Sequence, residues 1–345
     1  MSKLRKKELN INGVLFNIHS AYIDEIDAYF SKFIVPSNEE ITSSYNIYFE
    51  NDINVLSSLL DSFNINDANI LHTFKNQIHY QIDDKYLINT REYMCIKLSD
   101  YNYILFGSVK GLSWIIRELL IREMEDKGYF YMHGTGLNVY DKGILLLGNS
   151  GSGKTTFMTR LNEINTKEKF ISNDRVFVKD NLMYYYPLQV IYALGTVRSN
   201  DLLDKYFRET HILEKVKGKE YLKSSNDVKC HVPICDISKI FSNVENIDKS
   251  NIDLIIFPKL GDKEDYSYLD NDEIIKRLNE TNFTPNDTEN KRKEWLKYRK
   301  TTIEELEIRK KKLNDYLIKN TKIIEVNYKK DTNSEYIEKV LKKVL

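Results

Sequence analysis

Eight consecutive residues, Gly148-Asn149-Ser150-Gly151-Ser152-Gly153-Lys154-Thr155, fit the pattern G-x-x-x-x-G-K-[ST]. Each residue type in that pattern has a task in holding phosphate. Gly148, Gly151 and Gly153 let the backbone bend tightly and approach a ligand. Successive backbone N–H groups can then face β- and γ-phosphates, and the N-terminus of a following helix adds partial positive charge. Lys154 supplies a full positive charge and Thr155 a hydroxyl for Mg²⁺. Asn149, Ser150, Ser152 and Thr156 fill out the expected contact set. The expected ligands are ATP and Mg²⁺. The motif specifies a triphosphate site and leaves the reaction open.

The reaction depends on what stands beside the loop. The apolar run "IDLIIFPK" ends in Pro258 and Lys259 and offers no acid for a metal. The best acid is Asp174, in "FISNDRV", as a Mg²⁺ ligand with Thr155 and as a proton acceptor. Before the loop, "LNVY" and "GILLL" flank Asp141 and Lys142, a hairpin signal. Taking Asp141 and Lys142 as the turn and extending the pairing sets His133 opposite Ser150, beside the loop. An imidazole there can hydrogen-bond Asp174 and tune its basicity. The competing reading of His133 is purely structural. Arg198 is a candidate phosphate contact, with a plain surface arginine as its alternative.

The stretch "HGTGLNVYDKGILLLGNSGSGKTT", followed by "FISNDRV", resembles the catalytic domain of HPr kinase/phosphorylase and its kinase-like relatives. That fold is also related to phosphoenolpyruvate carboxykinase. The resemblance runs from Tyr129 to Val178, loosens toward the C-terminus and is absent from the N-terminal region. It implies an α/β nucleotide-binding domain with a mixed sheet, and it carries functional roles onto His133, Lys154, Thr155 and Asp174. Two departures matter. Asn173 stands where the family has a first aspartate, and "ALGTVRSNDLL" replaces the glycine-rich signature used around the carrier protein. The resemblance therefore implies an ATP-dependent kinase whose acceptor is a Ser or Thr hydroxyl of a peptide or protein other than HPr. Relatives that modify peptide precursors of natural products give it a context. Asn173 keeps a non-catalytic or weakly hydrolytic nucleotide-binding accessory protein open as the alternative, and a small-molecule kinase is the third reading.

The elements that must position these residues follow from pattern. Ile144 to Leu147 is continuously apolar, as in a strand buried on both faces, and a helix is expected from Lys154. "FISNDRVFV" reads as strand, polar break, strand. "MYYYPLQVIYAL", "NIDLIIFPK" and "KIIEVNY" read as strands. "SNDLLDKYF" reads as a helix capped by Ser199. From Asn271 the chain turns helical and charged, through a long amphipathic run carrying Trp295, Leu296, Ile303, Leu306 and Leu313, and it closes with the helix "SEYIEKVLKKVL". Ahead of the site, Leu112, Ile115, Ile116, Leu119 and Leu120 mark a helix stopped by Gly128 and expected to pack on the domain that follows. Residues 1–108 form an α+β region of unassigned role, with strands at "GVLFNIH" and "YNIYFE", a helix near Ala21 to Phe33 and a meander of short β runs. Residues 109–345 form the nucleotide domain with a helical C-terminal extension.

Composition sets the outer limits. The chain has 345 residues, of which 41% are hydrophobic, enough for a sizeable core. Lys+Arg and Asp+Glu balance at 51 each, which argues against broad electrostatic binding to nucleic acid or an anionic membrane. The three cysteines, Cys95, Cys230 and Cys235, lack the spacing of a disulfide framework. Cys230, His231 and Cys235 make a weak metal set without a fourth ligand. No secretory signal pattern or membrane-length apolar run is present. A cytoplasmic protein is expected, with a peptide or protein as partner. Homo-oligomers are allowed.

Overall fold

The computed structural model describes residues 4–35, 37, 39–52, 69–74, 77–82, 85–89, 93–149, 151–164, 168–210, 229–281, 300–329 and 331–345. The described residues fall into two compact units, one up to Glu123 and one from Met124 onward.

The first unit is built on an eight-stranded sheet. Strands β1 (Arg5–Ile11) and β2 (Val14–Ser20) form a hairpin. Its turn, Asn12-Gly13, has φ of 52° and 75°, the doubly positive conformation that asparagine and glycine accept. Helix α1 (Ile23–Phe30) follows, then β3 (Ser43–Glu50), β4 (Asn69–Phe74), β5 (Gln77–Ile82), β6 (Lys85–Asn89), β7 (Tyr93–Ser99) and β8 (Asn102–Gly107). The sheet order is β1-β2-β3-β8-β7-β6-β5-β4. The last five strands form the expected antiparallel meander, and β3 joins it to the hairpin through two parallel pairs. The sequence pattern misses β1 because charged residues occupy this edge strand, a usual protection of a sheet edge. It also misses β4.

Helix α2 (Val109–Asp126) buries the whole predicted stripe, with Leu112, Ile115, Ile116, Leu119 and Leu120 at most 1% exposed. It ends as the glycine predicts. Gly128 has φ 86°, and the N–H groups of Gly128 and Tyr129 return to the carbonyls of Glu125 and Met124, the usual glycine stop. The units divide inside this helix, between Glu123 and Met124, whereas the sequence boundary near residue 108 lies ahead of it. Arg122 and Glu123 hydrogen-bond tyrosines of the first unit's own sheet, Tyr103 and Tyr45.

The second unit is α/β. In chain order it contains β9 (Phe130–Met132), β10 (Gly134–Val139), β11 (Lys142–Leu147), α3 (Lys154–Asn162), β12 (Glu168–Ser172), β13 (Val176–Lys179), β14 (Leu182–Tyr184) and β15 (Val190–Ala193). Helices α4 (Leu194–Arg198) and α5 (Asp201–Glu209), strand β16 (Lys229–Val232), helix α6 (Ile237–Ile240), and strands β17 (Val244–Asn246) and β18 (Lys249–Asn251) follow. The chain ends with β19 (Leu254–Leu260), β20 (Asp265–Tyr268), α7 (Asn271–Thr281), α8 (Ile303–Asn320), β21 (Lys322–Tyr328) and α9 (Ser334–Val344). The main sheet has order β17-β12-β10-β11-β19-β21-β20. It is mixed: β10 and β20 run against the other five strands. A four-stranded sheet, β18-β14-β13-β9, and the pair β15-β16 complete it. Leu145, Leu146, Leu147, Ile255, Ile256 and Ile324 are fully buried, so the apolar run before the loop is a strand covered on both faces.

Three local expectations need correction. The hairpin turn is Tyr140-Asp141, with φ of 56° and 58°, and β11 begins at Lys142. Val139 pairs with Lys142 and Gly134 with Leu147, so the register is displaced from the one built on an Asp141-Lys142 turn. Helix α5 is capped by Asn200, whose side chain accepts from the Leu203 N–H at 2.8 Å. Ser199 instead closes α4, its hydroxyl donating to the Thr196 carbonyl. The long C-terminal charged run contains a fresh helix start, a capping box in which Thr302 and Glu305 satisfy each other's backbone N–H groups. Trp295 and Leu296 lie outside the described residues. Among the described residues, no helix is long and apolar enough to cross a membrane.

Candidate functional site

The loop from Gly148 to Gly153 leaves the buried end of β11 and turns directly into α3. Gly148, Gly151 and Gly153 have φ of 150°, 85° and 94°, a region that L side chains rarely adopt. At Gly153 the space is closed as well. A Cβ there would lie 2.2 Å from the Tyr328 hydroxyl, which donates to the Gly153 carbonyl at 2.7 Å. Tyr328, fully buried at the end of β21 and edge-on to Phe157 of α3, thus ties the loop's last turn to the sheet. The sequence carries no signal for this tie, because Tyr328 is remote in the chain.

Lys154, only 6% exposed, folds back into its own loop. Its ammonium donates to the carbonyls of Gly148 at 2.6 Å and Asn149 at 3.1 Å. Burial lowers its pKa to about 8, with the Arg175 charge adding to the fall and Asp174 opposing it. Asn149 also reaches Glu280 of α7 through its amide, at 3.3 Å. Thr156 shares a hydroxyl hydrogen bond of 3.0 Å with Thr196, which sets α4 beside the first turn of α3. Thr155 is half-buried in that same turn. Ser150 lies outside the described residues.

Asp174 sits in the turn between β12 and β13 with φ 65°. The hydroxyl of Ser172 donates to the Arg175 carbonyl and accepts from the Tyr186 N–H, holding the turn. One Asp174 oxygen lies 2.9 Å from Nε2 of His133, and Nη1 of Arg175 donates to the other at 2.7 Å. Burial pushes this carboxyl up, but the His133 hydrogen bond and the charges of Arg175, His133 and Lys154 outweigh it and hold it at about 2. The pKa of His133 is lowered, chiefly by burial and then by the Lys154 and Arg175 charges, against the pull of Asp174. Its backbone N–H donates to the carbonyl of Thr281. His133 thus meets Asp174, although the register used to place it is displaced. Arg175 was not among the expected site residues. Its position next to Asp174 in the chain is the signal that could have found it.

Asn173 points elsewhere than its neighbour. It is 2% exposed, and its Oδ1 accepts from the hydroxyl of Thr135 at 2.9 Å. Its Nδ2 and the hydroxyl of Ser152 are buried and make no hydrogen bond within the protein. The unpaired hydroxyl of Ser152 in this loop fits a ligand rich in acceptor oxygens, such as a chain of phosphates. The donor set for Mg²⁺ is lean: Thr155 and the single carboxylate of Asp174. That suits an ion completed by water and phosphate oxygens.

Other candidates stand apart from this set. Arg198, half-buried at the end of α4, acts on the Cys230 thiol. Cys230 and His231 are neighbours on β16 with opposite exposure, Cys230 buried and His231 exposed. His231 lies 2.6 Å from the Gln189 amide, and Cys235 donates to Asp236. Among the described residues, no group of three His, Cys, Asp or Glu side chains could hold a metal ion. β19 ends in Pro258 and the exposed Lys259 and Leu260; level with Phe257 on the next strand is a buried acid, Glu325, paired with Arg277 at 2.6 Å.

No protein-family model matches this chain, and a search of curated proteins finds no match.

Proposed function

We propose that the second unit binds Mg·ATP at the Gly148–Thr155 loop and transfers its terminal phosphoryl group to a Ser or Thr hydroxyl of a peptide or protein. The observation that carries this reading is the meeting of Lys154, folded into a glycine loop, with a His133–Asp174 pair within electrostatic reach. In this reading the loop N–H groups and Lys154 hold the phosphates and offset their charge. Thr155 and Asp174 would hold Mg²⁺, which supplies further neutralisation of charge on the transferred group. Asp174 stays ionised at neutral pH and fixes the orientation of the His133 ring. His133, its pKa lowered, is neutral there and can accept the hydroxyl proton. Dividing the roles in this way spares one carboxylate from serving as both metal ligand and base.

Asn173 favours a second reading. With an amide in place of a second acid, the site also suits a nucleotide-binding accessory protein with little turnover. Incubation with γ-labelled Mg·ATP and a Ser/Thr-rich peptide library separates the two. Label on peptide hydroxyls, lost in Asp174→Asn, supports the kinase. Binding of ATP with no label transferred to any peptide supports the accessory protein. Failure of the unaltered chain to bind Mg·ATP in calorimetry removes both.

A further inference from the structure

The spare N–H of Asn173 occupies a defined place. Gly136 pairs with Ser172, so Asn173 is the first residue past the end of β12. Its partner Thr135 pairs on its other side with Leu146, two residues ahead of Gly148. The amide therefore stands at strand ends that lead to the phosphate loop in one direction and to Asp174 in the other. Thr135 is fully buried, and its hydroxyl holds Asn173 Oδ1, which fixes the direction of the rest of the amide. Nδ2 is buried and finds no acceptor in the protein, a loss that buried donors rarely tolerate.

We propose that Asn173 reads the terminal phosphate: its Nδ2–H donates to an oxygen of that group and makes the site prefer a nucleoside triphosphate to a diphosphate. The proposal rests on the nucleotide-binding reading above. Its physical basis is the donor. A neutral amide at this position can donate directly to an oxygen of a terminal phosphate, which a carboxylate of the same shape can approach only through a proton or a bridging cation. Thr135 is the positioning residue, since its hydroxyl holds Oδ1 and leaves Nδ2 without a partner in the protein.

The test is calorimetric titration of the full chain with Mg·ATP and Mg·ADP. The unaltered protein, Asn173→Ala, Asn173→Asp, Thr135→Val and Lys154→Ala are compared, each first checked for unchanged melting temperature. Asn173→Ala is expected to lose about tenfold or more in ATP affinity while ADP affinity stays within about twofold. Asn173→Asp should lose more than Asn173→Ala, and Thr135→Val less. An unchanged ratio of ATP to ADP affinity in Asn173→Ala, with binding still strongly weakened by Lys154→Ala, overturns this proposal and leaves the nucleotide reading standing. Absence of binding by the unaltered protein overturns both. If Asn173→Ala does not fold, Asn173→Asp carries the same decision, because its ratio must also collapse.

Discussion

Among the described residues, each unit buries one cation, and the two cations are treated in opposite ways. Arg122, in the first unit, is 7% exposed and donates to the Tyr103 hydroxyl at 2.9 Å and, at 3.4 Å, to the Tyr45 hydroxyl and the Asp100 carbonyl. Tyr45 in turn donates to Glu123. Burial disfavours the charge on Arg122, but the tyrosines outweigh burial and raise its pKa. Lys154, in the second unit, is equally buried, yet burial prevails there and its pKa falls to about 8. The partners explain the difference. Those of Arg122 are side chains and a turn carbonyl fixed in a packed core. Those of Lys154 are two carbonyls of its own loop, and a ligand can take their place at the ammonium. A buried charge ringed by fixed partners stabilises a fold; one resting on replaceable partners is available for binding.

That contrast can be broken experimentally, and the largest effect is expected at the acid beside Lys154. Asp174→Asn should lower the rate of phosphoryl transfer by about 10²–10⁴-fold, the scale of a lost general base, because the His133 ring loses the carboxylate that orients it, with a much smaller change in Mg·ATP affinity. Single-turnover kinetics beside calorimetry measures both. Near-normal transfer would reduce Asp174 to a turn residue. Lys154→Ala comes next. Removing two charge-assisted contacts should weaken Mg·ATP binding on the order of 100-fold and leave the melting temperature nearly unchanged, because the loop carbonyls it serves can turn to solvent. A variant that melts much lower while still binding ATP would place Lys154 with Arg122 as a structural cation.

Arg122→Leu is the reciprocal case. It leaves two buried tyrosine hydroxyls short of a partner, so urea unfolding should show a loss of about 1–3 kcal/mol. Mg·ATP affinity of the folded protein should be preserved. Loss of affinity at unchanged stability would overturn the division between the two cations.

The smallest effect concerns pH. The pKa of His133 is lowered in the folded protein, so below an unfolded value of about 6.5 the unfolded chain binds more protons than the folded one. Stability must then fall as pH drops through that value toward the folded pKa. His133→Gln cannot titrate. Melting temperatures at pH 7.5 and pH 5.5 should fall less in this variant than in the parent protein. Equal falls in both proteins would show that other groups set the acid sensitivity.

Much of the architecture was legible because it rests on local rules. The glycine loop, the apolar strand before it, the stripe of α2, its stop at Gly128 and the meander all follow from spacing within short windows. Misses arose where two local solutions compete. Asp141-Lys142 and Tyr140-Asp141 are adjacent choices for one hairpin turn, and the chain takes the pair in which the lysine can begin a strand. Ser199 and Asn200 are both good caps, and the serine is used by the preceding helix. Thr302 and Glu305 are a legible capping box that a long charged run conceals.

By itself, the sequence determined that a glycine-rich loop ending in lysine and threonine lies between a buried strand and a helix, since these residue types at fixed spacing act within eight residues. It also marked His133 and Asp174 as the groups to watch. Only the tertiary structure decided how they meet. His133 and Asp174 stand 41 residues apart in the chain, yet their side chains are 2.9 Å apart. Tyr328 closes the loop from 175 residues away, and Thr135 turns the Asn173 amide across a strand pair. Such contacts depend on which strands lie side by side and which faces they share. Strand order in a mixed sheet is set by the packing of the whole unit rather than by any local pattern.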